Sequence, residues 1–564
     1  HTFTTQLMHQ AYIEPHACVV SVEDNGRVQV WVNNKSPFNL REQLAAAWGL
    51  PEDRIRLNPC SIGGDFGGKG SFMDVPLCYY LALHARRPVK MVMDYIQELM
   101  AGNPRHPGVI TLKTGVKEDG RLWARQARVA FNSGAYGAFK PRVHLRGADH
   151  SGGPYRIPHL QIDSYMVYTN SVPCGHMRAP AKPQVVFAVE SHMDMIAREL
   201  GLDPYEFRLR NVLRDGDASP TGERWHNLRV EETLGQAAQA AGWGTPKGKP
   251  FVGRGMAISD QPSGTGQSAA TVTMDERGQV SLLMALWDTG TGAHTILRQV
   301  VAEELTVPVE DVRIVVQDTD AVSFDSGSGG SRVTYTAGQA ALGAARLLRE
   351  ELIALAGELF ECPEERIQLQ GGRCLIHGDP ARAVPLREVA ARAMAILEKP
   401  IEAEMTYTST PSEVTSFCAQ VAEVEVDPET GQVRVRKLVT AHDVGTILNP
   451  LTHQGQIEGG VIQGLGYALM EEMNTEEGRI STLSLGEYKI PTIEDIPELV
   501  TVLLESSAGP APYGGKSIGE SSNVPVAAAI ANAVYDAVGV RILDLPITAE
   551  KVFRALKGKT REQS

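Results

Sequence analysis

Four glycine-rich segments constrain this chain more than any other feature: GGDFGGK at 63–69, DTGTGAHT at 288–295, SGSGGS at 326–331 and GGKSIGE at 514–520. Each runs into a stretch that reads as a helix. The start of a helix carries unpaired N–H groups, and glycines let the neighbouring backbone close on a ligand. The first segment predicts N–H groups facing an anionic or oxo-bearing group. The third, with three hydroxyls and three glycines, suits a phosphate or pyrophosphate. The fourth sets Glu520 in a tight turn, where a carboxylate is well placed to act as a general base.

Around these turns, strand-like and helix-like segments alternate, which predicts a mixed protein of the α/β or α+β type. Residues 26–32 read as a strand, and 40–48 as a helix with Leu40, Leu44 and Trp48 on one face. A helix over 190–200 closes on Gly201, and Asp203-Pro204 starts the next. The segment GWGTPKGKPFVG at 242–253 interrupts the pattern. After it strand, strand and helix return at 268–274, 279–286 and 293–305. The expectation is two large halves, 1–245 and 246–564, within the two to four domains that a 564-residue chain allows at roughly 150 residues per domain. The Ala- and Gly-rich stretch 336–360 reads as a packing helix.

The net charge of −13 argues against nucleic acid and anionic membrane surfaces as partners, and no apolar run has the ~20 residues of a membrane span. Seven scattered cysteines with no C-x-x-C argue against zinc ribbons and iron–sulfur clusters in this chain, and point to a reducing, cytoplasmic setting. The chain starts at His1 rather than Met, so it is expected to begin inside a longer polypeptide.

Two rival motifs each lack a required part. Residues 63–69 match the start of a P-loop, but Gly70 stands where a Mg²⁺-binding hydroxyl belongs. Gly515, Ser517 and Gly519 form G-x-S-x-G, yet the expected strand 499–504 ends well before the serine that should crown it.

Taken in order, the segments resemble the molybdenum-binding large subunit of the molybdenum hydroxylases, the xanthine dehydrogenase and aldehyde oxidase family. YIEPH at 12–16, GGDFGGK, MRAPAKPQ at 177–184, GTGAHT at 290–295 and GGSR at 329–332 are similar to family segments. So are DVG at 443–445 with Asn449-Pro450, QIEGG at 456–460, QGLG at 463–466, YKIP at 488–491 and GKSIGE at 515–520.

The resemblance implies an α+β fold, with a molybdenum cofactor bound between two large mixed halves. The metal would be held by a molybdopterin dinucleotide, in its cytosine form, rather than by protein ligands. Glu520 matches the catalytic base and Arg178 the loop residue facing the site. Gly64, Phe66, Gly67 and Gly68 would border the metal; Gly290, Gly292, Thr295, Gln299, Ser328, Ser331, Gln456, Lys516 and Gly519 would hold the pterin and its phosphates. Arg146, Arg178 and Pro180 fall at substrate-facing positions. The implied reaction hydroxylates an electron-poor carbon of an N-heteroaromatic or an aldehyde, with water as oxygen source. Since the cysteine pattern provides no cluster here, electrons would pass to a 2Fe–2S subunit and an FAD subunit. The family's segment ahead of the YIEPH region has no counterpart, which suggests cleavage, truncation or a separate chain.

Departures bear on the pocket. Lys35 stands where the family usually has Gln, which would put a cation near the metal; Thr291 replaces Gln, and Gly70 replaces a Glu of xanthine-oxidising members. Pro180 replaces an aromatic, while Arg146 keeps a purine open. Cys174 is too far from Arg178 for the carbon monoxide branch. The same departures support an alternative, a member without turnover that serves assembly or carries the cofactor.

Overall fold

The computed structural model describes residues 1–136 and 145–563. Alternating valines set the first unit. Val20, Val28, Val30 and Val32 turn to one face of a sheet and meet Leu40 and Leu44 of helix Pro37–Trp48, and Cys78 and Ala82 of helix Val75–Ala85. The sheet runs Ile55–Asn58, Val28–Val32, Ala17–Val22, Val89–Val92, with the first pair parallel and the others antiparallel.

The same topology returns in the second half. Strands Val312–Val316, Val280–Met284, Gln267–Met274 and Ile401–Thr408 lie in that order, again parallel, antiparallel, antiparallel. Helices Ala293–Leu305 and Val333–Phe360 back this sheet through Leu297, Val301, Ala341 and Leu348. Each unit thus follows strand, strand, helix, strand, glycine-rich loop, helix, strand, with a three-stranded sheet over 367–385 and the helix Leu386–Leu397 inserted before the last strand of the second. The units meet directly: Leu57 and Thr319 are joined by a main-chain hydrogen bond, and Trp287 of the second unit is buried in the first unit's core.

A larger core carries both. The sheet Thr2–Thr5, Gly108–Val116, Leu122–Gly134, His159–Tyr168 packs on helix Lys182–Glu199. The sheet Glu498–Glu505, Val433–Gly445, Thr415–Val426, Val252–Pro262 packs on helix Val526–Val538. Phe187 and Val189 share one apolar cluster with Met256, Phe417 and Ile530, so burial is continuous across residue 245. The fold is α+β, as the alternation of segments suggested. Among the described residues no helix is long and apolar enough to cross a membrane.

Candidate active site

A cavity of about 480 Å³ opens where the loops of the two units converge. Its wall draws on Lys35, Asp65, Phe66 and Gly67 from the first unit and Thr289–Thr291 and Ser328–Tyr335 from the second. The segments around Arg178, Gln456 and Glu520 complete it.

Glu520 follows the strand Glu498–Glu505 and precedes the helix Val526–Val538. Its loop is pinned to the neighbouring strand end by Lys516 N–H to the Val444 carbonyl, 2.9 Å, and by the Lys516 ammonium on Asp443, 2.7 Å. The carboxylate is buried but reaches the cavity wall. Oε1 accepts the Ala179 N–H at 2.9 Å, and Oε2 accepts the Gln261 amide and the Ser331 hydroxyl, each at 3.0 Å. Three donors fix its direction.

Arg178 joins three of the motifs. Its N–H donates to the Phe66 carbonyl at 2.7 Å, and its guanidinium donates to the carbonyls of Gly519 and Gln456 at 2.6 and 2.8 Å. Burial lowers the guanidinium to about 10, still charged at neutral pH. Phe66, with a positive φ of 48°, leaves its ring exposed at the cavity. Gly67 has φ 106°, and a Cβ there would come within 2.8 Å of the His176 carbonyl, so the loop can close on the Arg178 segment only with glycine. Lys35 lines the wall with its ammonium 3.3 Å from Asp65, whose carboxylate also accepts the N–H groups of Gly67 and Lys69. Burial, and then the Lys35 charge, lowers the neighbouring His176 imidazole to about 4.

The wall is also rich in hydrogen-bonding groups. Ser328, Thr289, Thr291, Thr446 and Thr452 bring hydroxyls, and a Cβ at Gly290 would meet open space. His453 lines the cavity with a buried Nε2 that finds no hydrogen-bond partner among the described residues, and burial lowers its imidazole to about 4. Lys35, Arg178, Arg332 and Lys516 outnumber Asp65 and Glu520 along the wall. Hydroxyls, open backbone, an orphaned imidazole nitrogen and an excess of cations fit a phosphate-bearing cofactor such as a molybdopterin dinucleotide. Among the described residues no three His, Cys, Asp or Glu side chains gather as a metal-binding group.

Of the residues singled out from sequence, Phe66, Gly67, Arg178, Pro180, Gly290, Ser328, Ser331, Gln456, Lys516, Gly519 and Glu520 meet in this one wall. Gly64, Gly68, Gly292, Thr295 and Gln299 stand behind or beside it. Gly64 and Gly68 pack near Tyr12, and Gly292 packs on Thr452. Thr295 is exposed, and Gln299 props the turn at Leu448 and Asn449 through bonds of 3.3 and 2.9 Å. Arg146 is exposed at the start of the short helix Arg146–Gly152 and lies outside the wall. Sequence reasoning misses Gln261, Lys182, Asp65 and His453. Gln261 sits in an unremarkable strand and carries no signal; His453 stands three residues from Gln456 and is the one that proximity could have found.

Comparison with known proteins gives the family. Two molybdopterin cofactor-binding domain families match the chain, one over residues 1–212 and the other over 229–497. A putative xanthine dehydrogenase molybdenum-binding subunit of Escherichia coli (strain K12) is 32% identical over 98% of this chain and 76% of its own length. The nicotine 6-hydroxylase large subunit of Paenarthrobacter nicotinovorans is 30% identical over 97% of this chain and 72% of its own length. Among solved structures, quinoline 2-oxidoreductase from Pseudomonas putida 86 aligns with TM-score 0.94 and 27% identity, over 99% of this chain and 76% of that one. The chain is a molybdopterin-binding large subunit and belongs to the molybdenum hydroxylase family.

Proposed function

We propose that this subunit oxidises an electron-poor carbon of an N-heteroaromatic ring, a purine included, or of an aldehyde, with water as the oxygen source. The observation that carries this reading is Glu520, a carboxylate that lines the cavity and is held by three donors. When bound, the molybdenum cofactor, in its cytosine dinucleotide form, supplies the oxygen nucleophile and takes up the electron pair of the broken carbon–hydrogen bond.

Glu520 acts as the general base. Oε2 already meets two donors and Oε1 only the Ala179 N–H, so Oε1 keeps the freer lone pair and takes the proton. Arg178 keeps the Phe66 and Gly519 loops and the helix around Gln456 in register around that carboxylate. Phe66, Met177, Pro180 and Ile518 give the cavity an apolar wall that suits a flat ring or a small aldehyde and excludes water from the base. The hydroxyls and glycines of 289–292 and 328–331, with Gln456, hold the pterin and its phosphates. Electrons leave to 2Fe–2S and FAD subunits in the cytoplasm. The names of relatives as molybdenum-binding or large subunits support a multisubunit enzyme.

The test is Glu520→Gln, with molybdenum per chain and turnover of quinoline, a purine and an aldehyde measured on the same preparation. Molybdenum retained with turnover abolished is the expected outcome; retained turnover would remove Glu520 from the chemistry.

A further inference from the structure

Behind Glu520 lies a buried chain of polar groups that the reaction as described does not use. Lys182 is the first residue of helix Lys182–Glu199, and its ammonium donates to Gln261 Oε1 at 2.8 Å. The Gln261 amide nitrogen in turn donates to Glu520 Oε2 at 3.0 Å. Lys182, Gln261 and Glu520 are all buried. A cation here is doubly disfavoured, because it is taken out of water and stands at the positive end of a helix. The compensation comes from Gln261 Oε1 and from the charges of Asp260 and Glu520. Burial would raise Asp260, but His150, 3.1 Å away, and Lys182 bring it down to about 2, so it remains a counter-charge.

An ammonium only donates, so the amide beside it must present oxygen to Lys182 and nitrogen to Glu520. We propose that Lys182 is a positioning residue for Glu520: by fixing the Gln261 amide it keeps an N–H aimed at Oε2 beside the Ser331 hydroxyl, and so holds the carboxylate's direction with its other oxygen turned to the cavity. Without the ammonium the amide can turn over, offer its oxygen, and accept a proton from a neutral Glu520 carboxyl. The remaining charges around Glu520 cannot substitute. Arg105, Arg178 and Arg332 lie within electrostatic reach. Their guanidiniums serve other acceptors: the carbonyls of Arg178 and Ala179 and the Gln184 amide oxygen for Arg105, the carbonyls of Gly519 and Gln456 for Arg178, and those of Ser326, Gly327 and Thr265 for Arg332. None of the three donates to the carboxylate.

The inference rests on Glu520 being the base, but its test does not need turnover. In the full chain as purified, the infrared stretch of a protonated carboxyl that disappears in Glu520→Gln marks Glu520, and its pH midpoint is the readout. In Lys182→Met that midpoint should rise by about one pH unit, while Lys182→Arg should stay near the wild-type value. Gln261→Met cuts the same chain one step nearer and should also raise it; it carries the test should Lys182→Met lose its fold. The double variant should shift no further than Gln261→Met alone, since the two act through one path. An unchanged midpoint in Lys182→Met, or a double shift equal to the sum of the two, overturns the proposal. If instead Glu520→Gln still turns over, the base assignment fails while the titration still reports on Lys182.

Discussion

The two repeated units build the same turn and use it differently. In the first unit Asp65 accepts the N–H of Gly67 at 2.8 Å; in the second Asp325 accepts the N–H of Gly327 at 2.6 Å. Both glycines have positive φ, 106° and 70°, and both press on a carbonyl of another segment, His176 for one and Lys35 for the other. What differs is the partner of each aspartate and the residue sent forward. Asp65 faces the Lys35 ammonium and its turn presents the Phe66 ring, whereas Asp325 takes the Ser268 hydroxyl and its turn runs on to Ser331, which donates to Glu520. A repeated backbone device thus supplies an apolar wall from one copy and a polar grip on Glu520 from the other. Function sits where the copies meet.

The largest effect is expected at that meeting point. Glu520→Gln keeps the size of the side chain and removes the base, so turnover should fall by about 10²- to 10⁴-fold with molybdenum content unchanged. Next come the matched glycines. Gly327→Ala would drive a Cβ to 2.2 Å from the Lys35 carbonyl, against 2.8 Å from His176 for Gly67→Ala. Strain in such backbone costs about 1–3 kcal/mol, so Gly327→Ala should lower the unfolding free energy by at least that much. Gly67→Ala should cost less, and thermal melts of the pair would show whether the order holds. Equal effects would mean that the two turns are not loaded as their contacts imply.

Much of this architecture is legible in the linear chain. The glycine-rich loops, the helix starts and Glu520 carry local chemistry that survives in one dimension, and the return of strand, strand and helix after residue 253 shows as a pattern. The equivalence of 63–69 and 326–331 does not, because the Asp-x-Gly that they share, Asp65 to Gly67 and Asp325 to Gly327, is too short to stand out and the rest resides in strand order. Gln261 and Lys182 escape for the same reason: they are 79 positions apart and become neighbours only through the packing of a helix on a sheet. Lys35 is expected as a cation near the metal and does line the wall, but its pairing with Asp65 needs the loop in three dimensions. Arg146, matched to a substrate position by spacing alone, is exposed and outside the wall.

A smaller effect should separate the ends of the cavity by pH. His176 beside the first turn and His453 opposite the second are both lowered to about 4, chiefly by burial. Each stays neutral in the fold while the unfolded chain takes up a proton near pH 6.5. Their contribution is therefore complete above about 6.5 and is lost as pH falls towards 4, at about 1.4 kcal/mol per pH unit for each imidazole. His453→Leu should flatten the fall in stability by one proton between those limits, measured by denaturant unfolding at a series of pH values. Because its Nε2 is an orphan donor or acceptor in the wall, the same change should also loosen the cofactor, seen as faster release of pterin fluorescence. An unchanged pH slope together with unchanged release would show that the imidazole is solvated at this end after all.

The smallest effect is expected in the segment threaded between the turns. Ala179 and Ala181 both hold positive φ, 57° and 65°, flanking Pro180. Their methyl groups carry a strain that glycine would not. Arg105 holds the segment in place by donating to the carbonyls of Arg178 and Ala179 at 2.7 and 3.3 Å. Ala179→Gly should relieve about 1 kcal/mol in the fold and lose about 0.4–1 kcal/mol of that to the freer unfolded chain, leaving stability close to unchanged. Turnover is the sharper readout. The N–H of residue 179 is a direct donor to Glu520, and a glycine there widens the range of directions that donor can take. If the alanines keep the base aligned, Ala179→Gly will lower kcat several-fold with melting temperature unmoved. If both stay the same, Arg105 alone fixes the segment, and alanine is tolerated at 179 without aiding the alignment.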